Sequence, residues 1–268
     1  MKPSGESINF DRAADYYDQT RGLSGPLASG GMQMILDRLQ ERAGPGAQLL
    51  EVGTGTGRIA IPLLERGARL YGCDLSYKMM ARQRAKRADA RLAQADATTL
   101  PYGPAQFDGA LTVHVLHLIG GWRTVLHEIR RVLRPGAAYV NVWTPNTRGD
   151  ADARLRQYWR SRVEAHGASW RRPGVQSREE LVGELERMGA RFEEVNVARS
   201  VQAVTPQAIL DNIARRVYSE TWVVPDDVFQ QTIEELRAWA AENYADLSQP
   251  EQIEQHFVFD VIHFQPVD

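Results

Sequence analysis

Apolar positions along the chain follow two rhythms. Between residues 48 and 143, short apolar runs alternate with stretches where apolar side chains recur every three or four positions. The first pattern marks buried strands, the second helices that bury one face. Gln48–Val52, Arg69–Cys73, Arg91–Ala95, Phe107–Val113 and Ala137–Trp143 read as strands. Helices are predicted over Arg58–Arg66, Tyr77–Arg87 and Trp122–Leu133. The last of these carries Trp122, Val125, Leu126, Ile129 and Leu133 on one stripe, and Arg134-Pro135-Gly136 stops it. Strands separated by helices imply an α/β fold with a parallel sheet covered on both faces.

The flanks extend this block. Asn9–Thr20 reads as a helix with Phe10, Ala13, Ala14 and Tyr17 on one side, and Arg21 to Pro26 breaks it. A second helix is expected from about Leu27 to Arg42, ended by Gly44-Pro45-Gly46. Beyond Trp143, helices are expected over Ala153–His166, Ser177–Met188, Pro206–Val217 and Pro225–Tyr244. Ser177 is placed to cap the second of them, with Glu180 at the capping-box position. Phe192–Val201 and Gln255–Phe264 alternate and read as the last two strands. No domain boundary stands out, so the expectation is one domain over 1–268. Its core spans about 46–144 and 177–201 plus 255–265. The N-terminal helices (8–43) and the insertions 145–175 and 202–254 are expected to form a lid over substrate.

Composition changes this picture by exclusion. A charge of -2 over 268 residues offers no basic stripe for nucleic acid and no attraction to an anionic membrane. The polar start, Met1 to Phe10, does not read as a signal peptide, and no apolar run reaches membrane-spanning length. Cys73 stands alone, which excludes an intrachain disulfide and a multi-cysteine metal site and suits a reducing cytoplasm. A monomer or homodimer acting on a small molecule is the expected assembly.

The chemistry gathers at one corner. The first strand runs through Glu51 into Gly53-Thr54-Gly55-Thr56-Gly57 and on into a helix. Glycines at such a turn let a ligand lie against bare backbone. In parallel sheets ligands sit beyond the carboxyl ends of the strands, and Gly53, Asp74, Asp96 and His114 all follow strand ends. A dinucleotide site has the spacing Gly-x-Gly-x-x-Gly, and this corner is one residue shorter.

Glu51-Val52-Gly53-Thr54-Gly55-Thr56-Gly57 resembles motif I of the class I S-adenosylmethionine-dependent methyltransferases. Asp74 and Ala95-Asp96-Ala97 are similar to the family's acidic residues after strands two and three. Phe107-Asp108-Gly109-Ala110, Val115-Leu116-His117 and Leu133-Arg134-Pro135-Gly136 resemble its fourth-strand motif and the turn before strand five. Phe10-Asp11-Arg12 and Tyr17-Asp18 resemble the first helix of its small-molecule branch, which includes quinone-biosynthesis methyltransferases. The resemblance covers roughly residues 8–143. It implies a Rossmann-like, doubly wound, mostly parallel sheet of seven strands with the last antiparallel, and S-adenosylmethionine as cofactor.

Under that resemblance Asp74 suits the ribose diol as a double acceptor, with Leu75 beside it. Asp96 suits the adenine amino group, with Ala97 next to it, and Met79 covers the adenine face. Glu51 and the loop residues Gly53, Thr54, Gly55 and Gly57 suit the amino-acid end, Glu51 in part by ordering the turn. Arg58 is placed to pair with the cofactor carboxylate, Val113 to offer backbone groups, and Tyr17 and Arg21 to close over the cofactor. His114, at the end of strand four, is the candidate catalytic base; His117 more often serves as scaffold. The implied reaction is methyl transfer to a small-molecule acceptor by direct in-line displacement. Two other readings stay open from the residues alone: a nicotinamide-dependent oxidoreductase, and a non-catalytic S-adenosylmethionine-binding protein.

Overall fold

A computed structural model describes residues 7–20, 30–143 and 150–265 of the chain. Its strands are β1 (Gln48–Val52), β2 (Arg69–Asp74), β3 (Arg91–Gln94), β4 (Phe107–Val113), β5 (Leu133–Val142), β6 (Arg191–Val204) and β7 (Glu251–His263). They form one seven-stranded sheet in the order β3-β2-β1-β4-β5-β7-β6. β1 pairs in parallel with β2 and β4, β2 with β3, and β4 with β5, whereas β5 and β7 run antiparallel. The reversal between β1 and β4 opens a crevice at the carboxyl ends of those two strands, the position where such sheets take ligands.

The helices are α1 (Tyr17–Thr20), α2 (Gly31–Gln40), α3 (Ala60–Glu65), α4 (Tyr77–Lys86), α5 (Trp122–Val132), α6 (Asp150–Ala165), α7 (Arg178–Arg187), α8 (Pro206–Ala214) and α9 (Asp226–Asn243). Two compact units result. The first holds Met1–Trp143, Pro173–Ala198 and Phe257–Asp268; the second holds Thr144–Arg172 and Arg199–His256.

In the first unit a core lies on each face of the sheet. Neighbouring β1 residues point to opposite sides, so Leu50 and Val52 join α5 and α7 in one core while Leu49 joins α2 and α3 in the other. The α5 stripe of Trp122, Val125, Leu126 and Ile129 is fully buried, as its period requires. The second unit packs Leu155 and Trp159 of α6 against Ile209 and Ile213 of α8 and Phe229 and Leu236 of α9. Tyr158 stacks on Trp239 there, with ring centroids 4.7 Å apart. Among the described residues no helix is long and apolar enough to cross a membrane.

Several elements differ from the periodicity; β6 runs on to Val204 and β7 starts at Glu251. The helix expected over Asn9–Thr20 breaks into a 3-10 turn at Asp11–Ala13 and the single turn α1. β5 begins at Leu133, before the Pro-Gly pair, because Leu133 aligns with Phe107 and the register then shifts to Gly109↔Ala138 across a bulge. α8 ends at Ala214, and Arg216 sits at φ 52°, where a helix cannot continue. The break at 21–26 and the start of the second helix fall outside the described residues.

Candidate functional site

β1 delivers the chain into the glycine loop at the carboxyl edge of the sheet. Gly53 has φ 79°, and a Cβ there would lie 2.3 Å from Val115 Cγ2, so only glycine fits against the β4 exit. The Gly53 and Thr54 amides both donate to the Cys73 carbonyl, at 2.8 and 3.0 Å, which ties the loop to the end of β2. Gly57 (φ 83°) turns away from this edge; a Cβ there would meet Gln83 Cγ of α4 at 2.7 Å. The glycines thus divide the work: one admits β4, one admits α4.

Beyond the loop lies a cavity that is partly open to solvent. Its wall includes Tyr17, Gly53, Gly55, Asp74, Leu75, Met79, Asp96, Ala97, Val113 and His114. These are residues from six separate stretches of sequence, gathered as the strand-end rule demands. Arg21 lies outside the described residues.

Asp74 is fixed before any ligand arrives. Its Oδ2 accepts the Gly55 amide and its Oδ1 the Ser76 amide, both at 2.8 Å. Each carboxylate oxygen keeps further acceptor capacity. Burial raises the Asp74 pKa, opposed by the amides of Ser76 and Gly55, with Asp11 adding to the rise. Ser76 caps α4, its Oγ accepting the Met79 amide at 3.1 Å, and donates in turn to Asp11. Asp96 is exposed, and its Oδ1 accepts both the amide and the hydroxyl of Thr98 at 2.8 Å. That turn aims a second carboxylate at the same cavity.

Glu51, Thr54, Gly57 and Arg58, expected at the ligand, do not line the cavity. Strand alternation puts the Glu51 side chain under the loop: it is 1% exposed, and Thr54 Oγ1 donates to its Oε2 at 2.9 Å. Burial pushes its pKa up to about 8, against the lowering effects of Thr54 and Arg58. Glu51 and Thr54 therefore shape the loop from behind.

His114 closes the edge at β4. It has φ 56°, costly for a residue with a side chain, while its amide donates to the Val142 carbonyl at 3.2 Å. His117 also reaches the cavity wall, and its ring meets Trp143 edge to face at 6.2 Å. A strap from the stretch before α7 braces this corner: Gly174 and Val175 donate to the His117 and Leu116 carbonyls at 3.1 and 3.3 Å.

The N-terminal segment supplies wall residues that were not expected at the ligand. Ser7, Ile8 and Phe10 line the cavity, and the Ile8 amide donates to the Leu118 carbonyl at 2.9 Å. Val115, Leu118 and Ile119 complete its apolar side. The tilted contact of Phe10 with Tyr17, centroids 6.1 Å apart, had a sequence signal in their seven-residue spacing.

The residues present fit S-adenosylmethionine. Two carboxylates offer acceptors for hydroxyl and amino donors, Leu75, Met79, Ala97 and Val113 offer apolar contact for a flat base, and Gly55 presents bare backbone at the edge.

Sheet order, glycine loop and strand-end carboxylates together define a Rossmann-like α/β fold of the methyltransferase type. A putative methyltransferase from Bacillus halodurans has this fold: it superposes with a TM-score of 0.58 at 13% identity, over 88% of this chain and 99% of that one. Residues 50–140 match the family described as Methyltransferase domain. This part of the chain is thus similar to methyltransferase domains. The ubiquinone/menaquinone biosynthesis C-methyltransferase of Paracoccus denitrificans is 38% identical over 141 residues, covering 47% of this chain and 54% of its own length. The malonyl-[acyl-carrier protein] O-methyltransferase of Salmonella typhimurium is 30% identical over 152 residues, 57% of each. The chain thus spans little more than half the length of these curated relatives.

Proposed function

We propose that this protein is an S-adenosylmethionine-dependent methyltransferase acting on a small-molecule acceptor. The observation that carries the reading is the cavity at the switch point, where Gly53, Gly55, Asp74 and Asp96 converge beside His114. When bound, the cofactor supplies a methyl group activated by its sulfonium, which an acceptor takes by direct in-line displacement. The protein's part is to hold the two partners in line and exclude water, which contributes ~7–11 kcal/mol in favourable cases.

In this reading Asp74, held by two amides, accepts from the ribose hydroxyls, and Asp96 accepts from the adenine amino group. Leu75, Met79, Ala97 and Val113 pack the base, and Tyr17 covers the open side. Glu51, Thr54, Gly57 and Arg58 keep the loop in shape. His114 is the group placed to take a proton from an acceptor that must lose one, an effect of ~10²–10⁴-fold. The relatives' names span methylation at carbon and at oxygen, so they support a small acceptor without selecting its atom. A cytoplasmic setting belongs to the proposal and draws support from the single, buried thiol of Cys73.

Calorimetry with S-adenosylhomocysteine tests the reading directly. Micromolar or tighter binding by the wild type, weakened roughly tenfold or more in Asp74→Ala, is the expected result. A folded wild-type protein that does not bind, or an Asp74→Ala variant with unchanged affinity, overturns it. NADH titration in the same buffer should give no fluorescence enhancement.

A further inference from the structure

α1 is one turn long and buries none of its residues. A single turn has almost no intrinsic stability, so something outside it must hold it. Yet its first residue, Tyr17, forms part of the cavity wall with Phe10.

The holding contacts are polar, and they run along α4. Asp11 accepts from Ser76 Oγ, at the cap of α4, and from the Lys78 amide at 3.3 Å. Asp15 pairs with Arg82 one turn further on. Asp18 closes the series at the end of α4: its Oδ2 lies 2.6 Å from Lys86 Nζ. Asp11, Asp15 and Asp18 recur every three or four positions, and their partners Ser76, Arg82 and Lys86 follow one another along α4.

The last rung does more than the others. Asp18 Oδ1 also accepts the Thr56 hydroxyl at 2.6 Å, and Lys86 Nζ donates to the Thr56 carbonyl at 2.9 Å. Thr56 is fully buried and stands between Gly55 and Gly57 in the glycine loop. Side chains from two elements, Asp18 of α1 and Lys86 of α4, thus meet at one loop residue. Burial works against ionisation of Asp18, but Lys86, Thr56 and Arg58 hold its carboxyl below the usual range.

We propose that Asp18 is a positioning residue: with Lys86 and Thr56 it forms a clasp that locks the glycine loop and docks Tyr17 over the cavity together. The clasp couples closure of the N-terminal segment to retention of the cofactor. It rests on the cofactor reading above, and it adds a residue that touches neither cofactor nor acceptor. The aromatic side of the segment faces the ligand and its acidic side faces α4, so opening the segment and loosening the loop are one event. Asp11 and Asp15 act at separate points on α4 and do not reach the loop.

The test is the dissociation rate of S-adenosylhomocysteine, by displacement in stopped flow, for wild type, Asp18→Asn, Thr56→Val, Lys86→Gln, Lys86→Arg and the Asp18→Asn/Thr56→Val double variant. Asp18→Asn, Thr56→Val and Lys86→Gln should each speed dissociation roughly five- to tenfold. Association should change less than about twofold, and Lys86→Arg should stay near wild type. The double variant should be no faster than the faster single, because both remove the same clasp. Melting of the cofactor-free protein should shift by no more than ~2 °C, since Asp18 and Lys86 are 44% and 39% exposed. Wild-type dissociation in Asp18→Asn overturns the clasp. So do rates that multiply in the double variant, or melting losses that track the rate changes. Asp18→Asn keeps an acceptor and the side-chain shape, and Lys86→Gln probes the same knot from α4, so loss of fold in one variant leaves the other as the arbiter. A wild type that binds no S-adenosylhomocysteine overturns the cofactor reading itself, an outcome distinct from normal binding with a silent Asp18.

Discussion

Glu51 shows what a single buried charge does to a molecule. Its carboxyl is under the loop, with one hydroxyl as close partner and its pKa raised from 4.5 to about 8. The unfolded chain releases this proton near 4.5, while the folded chain keeps it until about 8. Between those values the native state binds more protons, so Glu51 costs stability as pH rises through that window, with a limiting slope of ~1.4 kcal/mol per pH unit. Below pH 4.5 the effect is absent, and above 8 it has reached its full size. Glu51→Gln keeps an acceptor for Thr54 and removes the titration. Urea unfolding at several pH values should therefore show the variant gaining on wild type steadily from pH 5 to 8. A difference between the two that does not change with pH would rule out the buried carboxyl as its source. The sequence displayed Glu51 as an acidic residue beside the glycines and left its face open. Strand alternation decides that face, and the pairing of β1 with β2 and β4 fixes it.

At the scale of elements, what could be read from the sequence depended on how local the cause was. β1, β2 and β4 announced themselves by apolar runs, and α5 by its stripe, because burial on both faces or on one leaves a direct trace in residue order. The start of β5 left none, since its bulge arises from pairing with β4. The ladder from Asp11 to Lys86 was equally hidden: its partners lie about 65 residues apart, and each charge alone looks like a solvated surface residue. The strap at Gly174 is the third case. A lone glycine after a proline reads as a loop, but here a Cβ would lie 2.0 Å from the Leu116 carbonyl oxygen. Backbone cannot yield as a flexible side chain does, so Gly174→Ala should cost roughly 2–3 kcal/mol in urea unfolding, at the upper end for overpacking. It should also disturb the His117–Trp143 contact, which sits on the same carbonyls. Unchanged stability in Gly174→Ala would show that the strap lifts away freely.

At the scale of the whole molecule, the cavity wall and the charge network of the second unit are built from different residues. Every residue assigned to the cavity wall belongs to the first unit. The second unit has its own apolar core and its own buried charge network. Glu220, 2% exposed, sits at the centre of that network, accepting from Arg156 and, at 2.6 and 3.1 Å, from Nη2 and Nε of Arg160. Burial disfavours its charge, yet the two guanidiniums hold its carboxyl below the usual range. Arg156 is further tied to Asp152 at 2.8 Å and lies over the Tyr218 ring. Removing the carboxylate leaves two guanidiniums with one fewer counter-charge in a poorly solvated place, a loss of roughly 3–5 kcal/mol for a buried pair. Glu220→Gln should therefore strongly destabilise the second unit. If the division of labour is as drawn, it should leave S-adenosylhomocysteine affinity within about twofold of wild type, while the corresponding change at Asp74 weakens it at least tenfold. Calorimetry alongside thermal melting reads both quantities. A Glu220→Gln variant that melts like wild type sinks the energetic claim; one that is folded but has lost cofactor affinity shows that the second unit governs the corner that β1 and its glycines build.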